Sequence, residues 1–191
     1  MDFVNEFVIR GKVLLIRGND NHPSLRVLSK SGKKETFPLV FCSQKLLKKR
    51  GIKPGMHVEA KGVIRTYYVK KEDGGMSRRQ AFHATDIKQD KTLCAEKFNI
   101  EGKFYSDFAA NVYIKGAFLS QDVRDDGWMS ILIRTSDNSM DVVKVNMRKL
   151  DRQPKYKKND PICIVGTIST VNKEFGNNRM HYENIIVNDI G

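Results

Sequence analysis

The sequence is poor in the residues on which catalysis and covalent cross-linking depend. Of its 191 residues only three are cysteine and four are histidine. Cys42, Cys94 and Cys163 are widely spaced and odd in number, which argues against a disulfide or zinc framework and fits a reducing, cytoplasmic compartment. His22, His57, His83 and His181 are scattered, and none sits at metal-ligand spacing from another His, Cys or acid; His57 reads as a surface strand residue. The acids of "DVRDD" (122–126) read as turn chemistry rather than a cation site. There is no Walker-type phosphate loop and no nucleophile elbow. The expectation is a protein that is not an enzyme and needs no cofactor and no metal. Long apolar runs are missing too, so no membrane span and no membrane partner is expected. The opening "MDFVNEFVIRGK" is too acidic and too interrupted for a signal peptide.

What the chain has in excess is positive charge. The formal net charge is +12, and it is unevenly spread. Residues 1–95 hold 20 Lys/Arg against 9 Asp/Glu, and residues 96–191 hold 14 against 13, so the first half carries +11 and the second +1. Charge placed only for solubility would not divide this way. A basic half of this kind attracts polyanions, chiefly nucleic acid. Forty per cent hydrophobic residues suffices for a packed core.

The chain also repeats itself. "FVIRGKV" (7–13) is echoed by "VYIKGAF" (112–118), "SLRVLS" (24–29) by "SILIRT" (130–135), and "TFPLVF" (36–41) by "DVVKVN" (141–146). The ribbon around Gly62 is echoed around Gly166, and "FHATDI" (82–87) by "IIVNDI" (185–190). Five echoes in one order, at an offset of about a hundred residues, mean a duplicated domain. The expected boundaries are 1–92 for a strongly basic first unit and 93–191 for the second. Residues 93–110, with "FNIEGKF", read as an added strand or hairpin, and "VYIKGAF" as the second unit's first strand.

Each copy reads as mostly strand. Val58, Ala60 and Ile64 alternate with Glu59, Lys61 and Arg65, the period-2 signature of a half-buried strand, and Ile162, Ile164 and Ile168 repeat the inward positions. Residues 43–50 form the expected helix, with Ser43 as N-cap, Leu46 and Leu47 inward, a basic last turn and Gly51 as stop. Pro154 cuts short any counterpart in "RKLDRQP". Gly11, Gly62, Gly116 and Gly166 mark sharp bends within strands. Five bent strands with a helix between the third and fourth describe an all-β protein of two tandem OB-folds, each a five-stranded Greek-key barrel.

Three segments resemble one family. "NVYIKGAFLSQDVRDDGWMSILIRTSDN" (111–138) is similar to the first hairpin of bacterial-type single-stranded DNA-binding proteins, "KPGMHVEAKGVIRT" (53–66) to their fourth strand, and "MHYENIIVNDI" (180–190) to their closing strand. The resemblance implies sequence-independent binding of single-stranded DNA in replication, recombination or mobile-element maintenance. Two barrels depart from the single-barrel bacterial form. No acidic tail follows "VNDIG", so recruitment of replication enzymes through such a tail is not expected.

Binding a single strand takes cations along the phosphates and flat side chains under the bases. The candidate surface in the first copy comprises Arg10 and Lys12 on strand one, Arg26 on strand two, and Lys61, Arg65 and Tyr67 on strand four. The following hairpin adds Tyr68, Lys70, Lys71, Arg78 and Arg79. Phe37 and Phe41 are assigned to the core, and Phe82 is left open between core and stacker. The second copy replaces Lys61, Arg65 and Tyr67 by Val165, Ser169 and Val171, with Cys163 also outward, a face suited to a homo-oligomer contact. It keeps Trp128 and Arg134 as candidates, with Lys115, Lys144, Arg148, Lys173 and Arg179 in support. The expected partner is single-stranded DNA. RNA, or a protein bound by an adaptor module, is the alternative.

Overall fold

The computed structural model describes residues 1–19, 22–70, 74–98, 104–148, 155–175 and 178–191. In chain order the first copy gives β1 (Val4–Arg17), β2 (Ser24–Ser31), β3 (Lys34–Thr36), β4 (Leu39–Phe41), α1 (Gln44–Arg50), β5 (His57–Lys70) and β6 (Met76–Gln89). A short pair, β7 (Lys97–Phe98) and β8 (Phe104–Tyr105), forms its own sheet. The second copy gives β9 (Ala109–Val123), β10 (Trp128–Arg134), β11 (Val142–Arg148), β12 (Pro161–Phe175) and β13 (Asn178–Ile190).

The pairings close two rings. In the first, β1 pairs with β2 and β5, β5 with β6, and β6 runs parallel to β4, which returns to β2. In the second, β9 pairs with β10 and β12, β12 with β13, and β13 runs parallel to β11, which returns to β10. Each ring is an OB-fold barrel, and "VYIKGAF" lies in β9, the first strand of the second. The expected third strand of the first copy is split into β3 and β4, because Pro38 has no N–H for the ladder.

Helix α1 forms where its caps place it. The Ser43 side chain accepts from the Leu46 N–H at 3.1 Å, Gly51 stops the helix at φ 59°, and Leu47 is buried against the barrel. The corresponding "RKLDRQP" lies partly outside the described residues.

The central glycines are demanded by close approach. A Cβ on Gly62 would stand 2.0 Å from the His83 carbonyl oxygen, and one on Gly166 2.6 Å from that of Ile186. Beside each glycine the partner strand carries an extra residue, which coils the hairpin around its barrel. Inward of this ribbon, Val58, Ala60 and Ile64, like Ile162, Ile164 and Ile168, are buried.

The barrels join edge to edge through their first strands. β1 runs antiparallel to β9, and Phe7 lies opposite Val112. These two residues begin the matching segments 7–13 and 112–118, so a local two-fold axis passes between them. Six strands, β6-β5-β1-β9-β12-β13, thereby make one continuous sheet, and a single apolar core runs beneath it through both barrels. Phe82 belongs to that core, edge-on to Phe7 at 5.5 Å.

Each barrel's long hairpin reaches across to the other. From the β5–β6 arm, Thr66 donates to the Val142 carbonyl at 2.6 Å, and Gln80 donates to the Lys144 carbonyl at 3.1 Å and accepts from the Lys144 N–H. From the β12–β13 arm, Thr170 Oγ1 accepts from the Phe37 N–H at 3.0 Å, and Glu183 accepts from the Leu39 N–H at 3.2 Å. The described residues thus form an internal pseudo-dimer with exchanged arms.

His57 lies on a strand as expected, at the start of β5, but half-buried rather than on the surface. Its Nδ1 lies 2.8 Å from the Leu93 carbonyl, and its ring meets Phe108 edge-on, which pins the connecting segment to the first barrel.

Candidate nucleic-acid interface

The second arm covers the third strand of the first barrel, and this decides which way that strand faces. Thr36, Pro38 and Val40 point inward, while Phe37, Leu39 and Phe41 lie half-buried on the other side. This corrects the assignment of Phe37 and Phe41 to the core. The larger apolar side chains face out because the arm from the other barrel shields that side, and Phe41 stacks on His83 at 5.4 Å. Burial first, and then the charge of Arg65, hold the His83 imidazole below its ordinary pKa. His83 is therefore a neutral ring at pH 7, suited to a stacking platform.

The same arm engages Arg26. Its Nη1 donates to the Phe37 carbonyl at 2.7 Å and to Glu183 Oε1 at 3.2 Å, so this cation braces the two barrels. Burial pushes the Glu183 carboxyl up by more than Arg26 and the Leu39 N–H draw it down.

Arg10 and Lys61 share one carboxylate. Arg10 Nε lies 2.6 Å from Glu59 Oε2, and Lys61 Nζ lies 3.0 Å from Glu59 Oε1. Burial raises the Glu59 carboxyl, but the two cations outweigh it and leave it below the ordinary range. Lys12 is exposed on the same strand as Arg10. Lys61 and Tyr67, grouped as one face in the sequence, are six extended residues apart, about 20 Å along the curling strand.

Tyr67 and Arg79 stand opposite each other across the β5–β6 ladder. They line a cleft of about 470 Å³ between the first arm and the second barrel, together with Arg78, Lys144, Asn146, Tyr182 and Asn184. The Arg79 guanidinium lies over the Tyr182 ring at 5.3 Å. Arg78 sits 5.8 Å over the Tyr68 ring, and its Nε is buried with no hydrogen-bond partner among the described residues. Lys70 is exposed near the end of β5, and Lys71 lies outside the described residues.

The cleft continues onto the second barrel. An adjoining hollow of about 760 Å³ shares Lys144, Asn146, Tyr182 and Asn184 with it, and adds Trp128, Arg124, Lys34, Ser31, Ser169 and Val171. Trp128 is half-buried with the Arg148 guanidinium 4.9 Å over its ring. The joined groove thus combines flat rings (Tyr67, Tyr182, Trp128) with cations (Arg79, Lys144, Arg124, Lys34). Arg134 instead covers the Phe3 ring at 5.8 Å. The side chains of Lys173 and Arg179 lie outside the described residues.

Sequence reasoning missed Lys34, Arg124, Lys144 and Tyr182 as one lining. Lys144 was a supporting candidate, but only the exchange of arms brings it beside Arg79. Among the described residues no three His, Cys, Asp or Glu side chains are placed to hold a metal ion.

Neither a protein-family model nor a curated protein sequence matches the chain. Solved structures do. The single-stranded DNA-binding protein of Thermus aquaticus aligns over 100% of this chain and 93% of its own, with 12% identity and a TM-score of 0.62. A deletion variant of that protein aligns over 99% and 94%, with 9% identity and the same TM-score. Through both barrels, this chain has the fold of a single-stranded DNA-binding protein.

Proposed function

We propose that the protein binds single-stranded DNA without strong sequence preference, along the groove between the first arm and the second barrel. The observation that carries this reading is the gathering of Tyr67, Tyr182 and Trp128 with Arg79, Lys144 and Arg124 in two adjoining hollows that share their lining. Bases without a partner strand expose apolar faces that such rings can cover, while the cations neutralise the phosphates between them. The whole-length likeness to the Thermus protein supports the same assignment. The mechanism makes and breaks no covalent bond. Binding of this kind serves processes that expose single strands, replication and recombination among them.

The test is a titration of Trp128 fluorescence with oligo-dT, oligo-U and duplex DNA at several salt concentrations. Single-strand binding gives a log–log salt slope of about −0.7 for each phosphate contacted. Equal or tighter binding of duplex overturns the reading, as does micromolar or weaker affinity at low salt. Tighter binding of oligo-U than of oligo-dT moves the partner to RNA.

The outer face of the six-stranded sheet supports a homo-oligomer. Tyr113 and Val165 lie side by side there, 40% and 42% exposed, on the less charged second barrel. A second copy of the chain covering this pair would bury both.

A further inference from the structure

We infer that the first barrel carries a second nucleic-acid surface, a phosphate-binding face on α1 and the outer sheet that takes duplex DNA. A chain with this face and the groove would sit where a single strand meets a duplex. The junction rests on the single-strand reading above; the duplex face does not.

The groove leaves most of the charge of the first half unused. Residues 1–95 hold 20 Lys/Arg, and of these only Lys34, Arg78 and Arg79 line its two hollows among the described residues. Elsewhere on that barrel, residues 43–53 hold five cations and no acid: Lys45, Lys48, Lys49, Arg50 and Lys53, all exposed. Leu47 fixes the other side of α1 in the barrel, so the basic side chains of the helix face water.

Shared carboxylates tie this helix to the outer sheet. Arg50 Nη2 lies 2.8 Å from Asp86 Oδ1, and Lys88 Nζ lies 3.6 Å from Asp86 Oδ2. Asp86 stands opposite Lys61 in the β5–β6 ladder, and Lys88 stands opposite Glu59, the carboxylate that Lys61 and Arg10 share. Each acid thus orders two cations and cancels one. Lys12, exposed two residues beyond Arg10, extends the row. Nine cations against two carboxylates leave this face a charge of +7.

The face has charge but no platform. No Phe, Tyr or Trp stands among these residues or within 43–53. A single strand gains affinity by stacking its bases on rings, which this face does not offer. The bases of a duplex are already stacked, and its outside presents one phosphate charge for about every 1.7 Å of axis. A field of point charges without rings is complementary to that surface. It is also set apart from the Tyr113–Val165 pair, since Tyr113 neighbours Glu6, four residues and about 13 Å along β1 from Arg10.

The experiment measures binding of oligo-dT, of blunt duplex, and of a duplex carrying the same oligo-dT as a tail. The wild type is compared with a helix variant, Lys45→Gln with Lys48→Gln and Lys49→Gln. The control makes the same charge change at exposed positions of the second copy, Lys155→Gln with Lys157→Gln and Lys158→Gln. The wild type should bind the tailed duplex at least about tenfold tighter than oligo-dT, and blunt duplex more weakly than oligo-dT. The helix variant should lose the tenfold advantage and keep the oligo-dT affinity of the control within about twofold. Its log–log salt slope on blunt duplex should be shallower than the control's by about 2 to 3. Lys61→Gln with Lys88→Gln tests the sheet half without touching the helix, and should lower that slope by about 1 to 2.

Equal duplex slopes for both variants and the control overturn the duplex face and leave the single-strand reading intact. A tailed duplex bound no tighter than its tail overturns the junction. Wild type that binds duplex but not oligo-dT overturns the single-strand reading and leaves the face. Oligo-glutamate bound by the wild type in place of duplex overturns the assignment and makes the partner an acidic protein.

Discussion

Gln80 and Glu183 do the same work on opposite barrels, each accepting the backbone N–H of one residue in the other barrel's third strand. Gln80 accepts from Lys144 and Glu183 from Leu39. One is an amide and the other a carboxyl whose pKa burial raises, against the pull of Arg26. A carboxyl with a raised folded pKa contributes stability that is full below its unfolded value, about 4.3, and is lost as pH rises through the folded value. In Glu183→Gln that loss should vanish, so the variant gains on the wild type as pH rises from about 4 to 7. Urea unfolding across that range decides the point; parallel curves for the two proteins would refute it.

The glycine ribbons give a steric prediction. Adding a methyl group to Gly62 drives it into backbone atoms, the His83 oxygen at 2.0 Å and the Ala84 Cα at 2.7 Å, and backbone cannot rotate away. Gly62→Ala should cost about 3 kcal/mol. Gly166→Ala, whose nearest atom is 2.6 Å away, should cost less. Denaturant midpoints measure both, and the reverse ranking would contradict the barrel geometry.

For binding, the groove separates two sets of basic residues. Tyr67→Ala with Arg79→Ala should weaken oligo-dT binding tenfold or more, since one base stack contributes about 1–3 kcal/mol. The salt slope should become shallower by about 0.7 for the lost phosphate contact. Lys61→Ala should change affinity by less than about twofold, because Glu59 already holds that ammonium on the outer face of the sheet, away from the groove. A larger loss from Lys61→Ala than from the pair would move the strand to the outer sheet.

Oligomerisation is tested on that outer sheet. Tyr113→Glu places a carboxylate in the exposed Tyr113–Val165 pair and should shift the protein to monomer in analytical ultracentrifugation. A mass of one chain for the wild type, or no change in the variant, would remove this contact.

The barrels were legible in the sequence because their determinants are local. Alternation around Gly62, the Ser43 and Gly51 caps, and the five echoes all lie within short windows. The orientation of Phe37 and Phe41 was not legible. Alternation gives the period of a strand but not its phase, and the phase here is set by an arm more than a hundred residues away. The bond from Arg26 to Glu183 was not legible for the same reason, since the two are 157 residues apart. The candidate groove was half visible: Tyr67 and Arg79 stand out in a basic hairpin, but Lys144 and Tyr182 join them only across the interface.

The β1–β9 pairing has a consequence for how such a molecule can diverge. In a dimer of identical chains every substitution appears twice, so an amide introduced at one groove must be tolerated at its mate. Here both halves of the two-fold arrangement lie on one covalent chain, whose linker holds them at an effective concentration near millimolar. Dilution cannot separate them. Phe41 beside His83 and Asn146 beside Ile186 can then occupy matching places with unlike chemistry, and a strand laid across the molecule meets a surface with a direction.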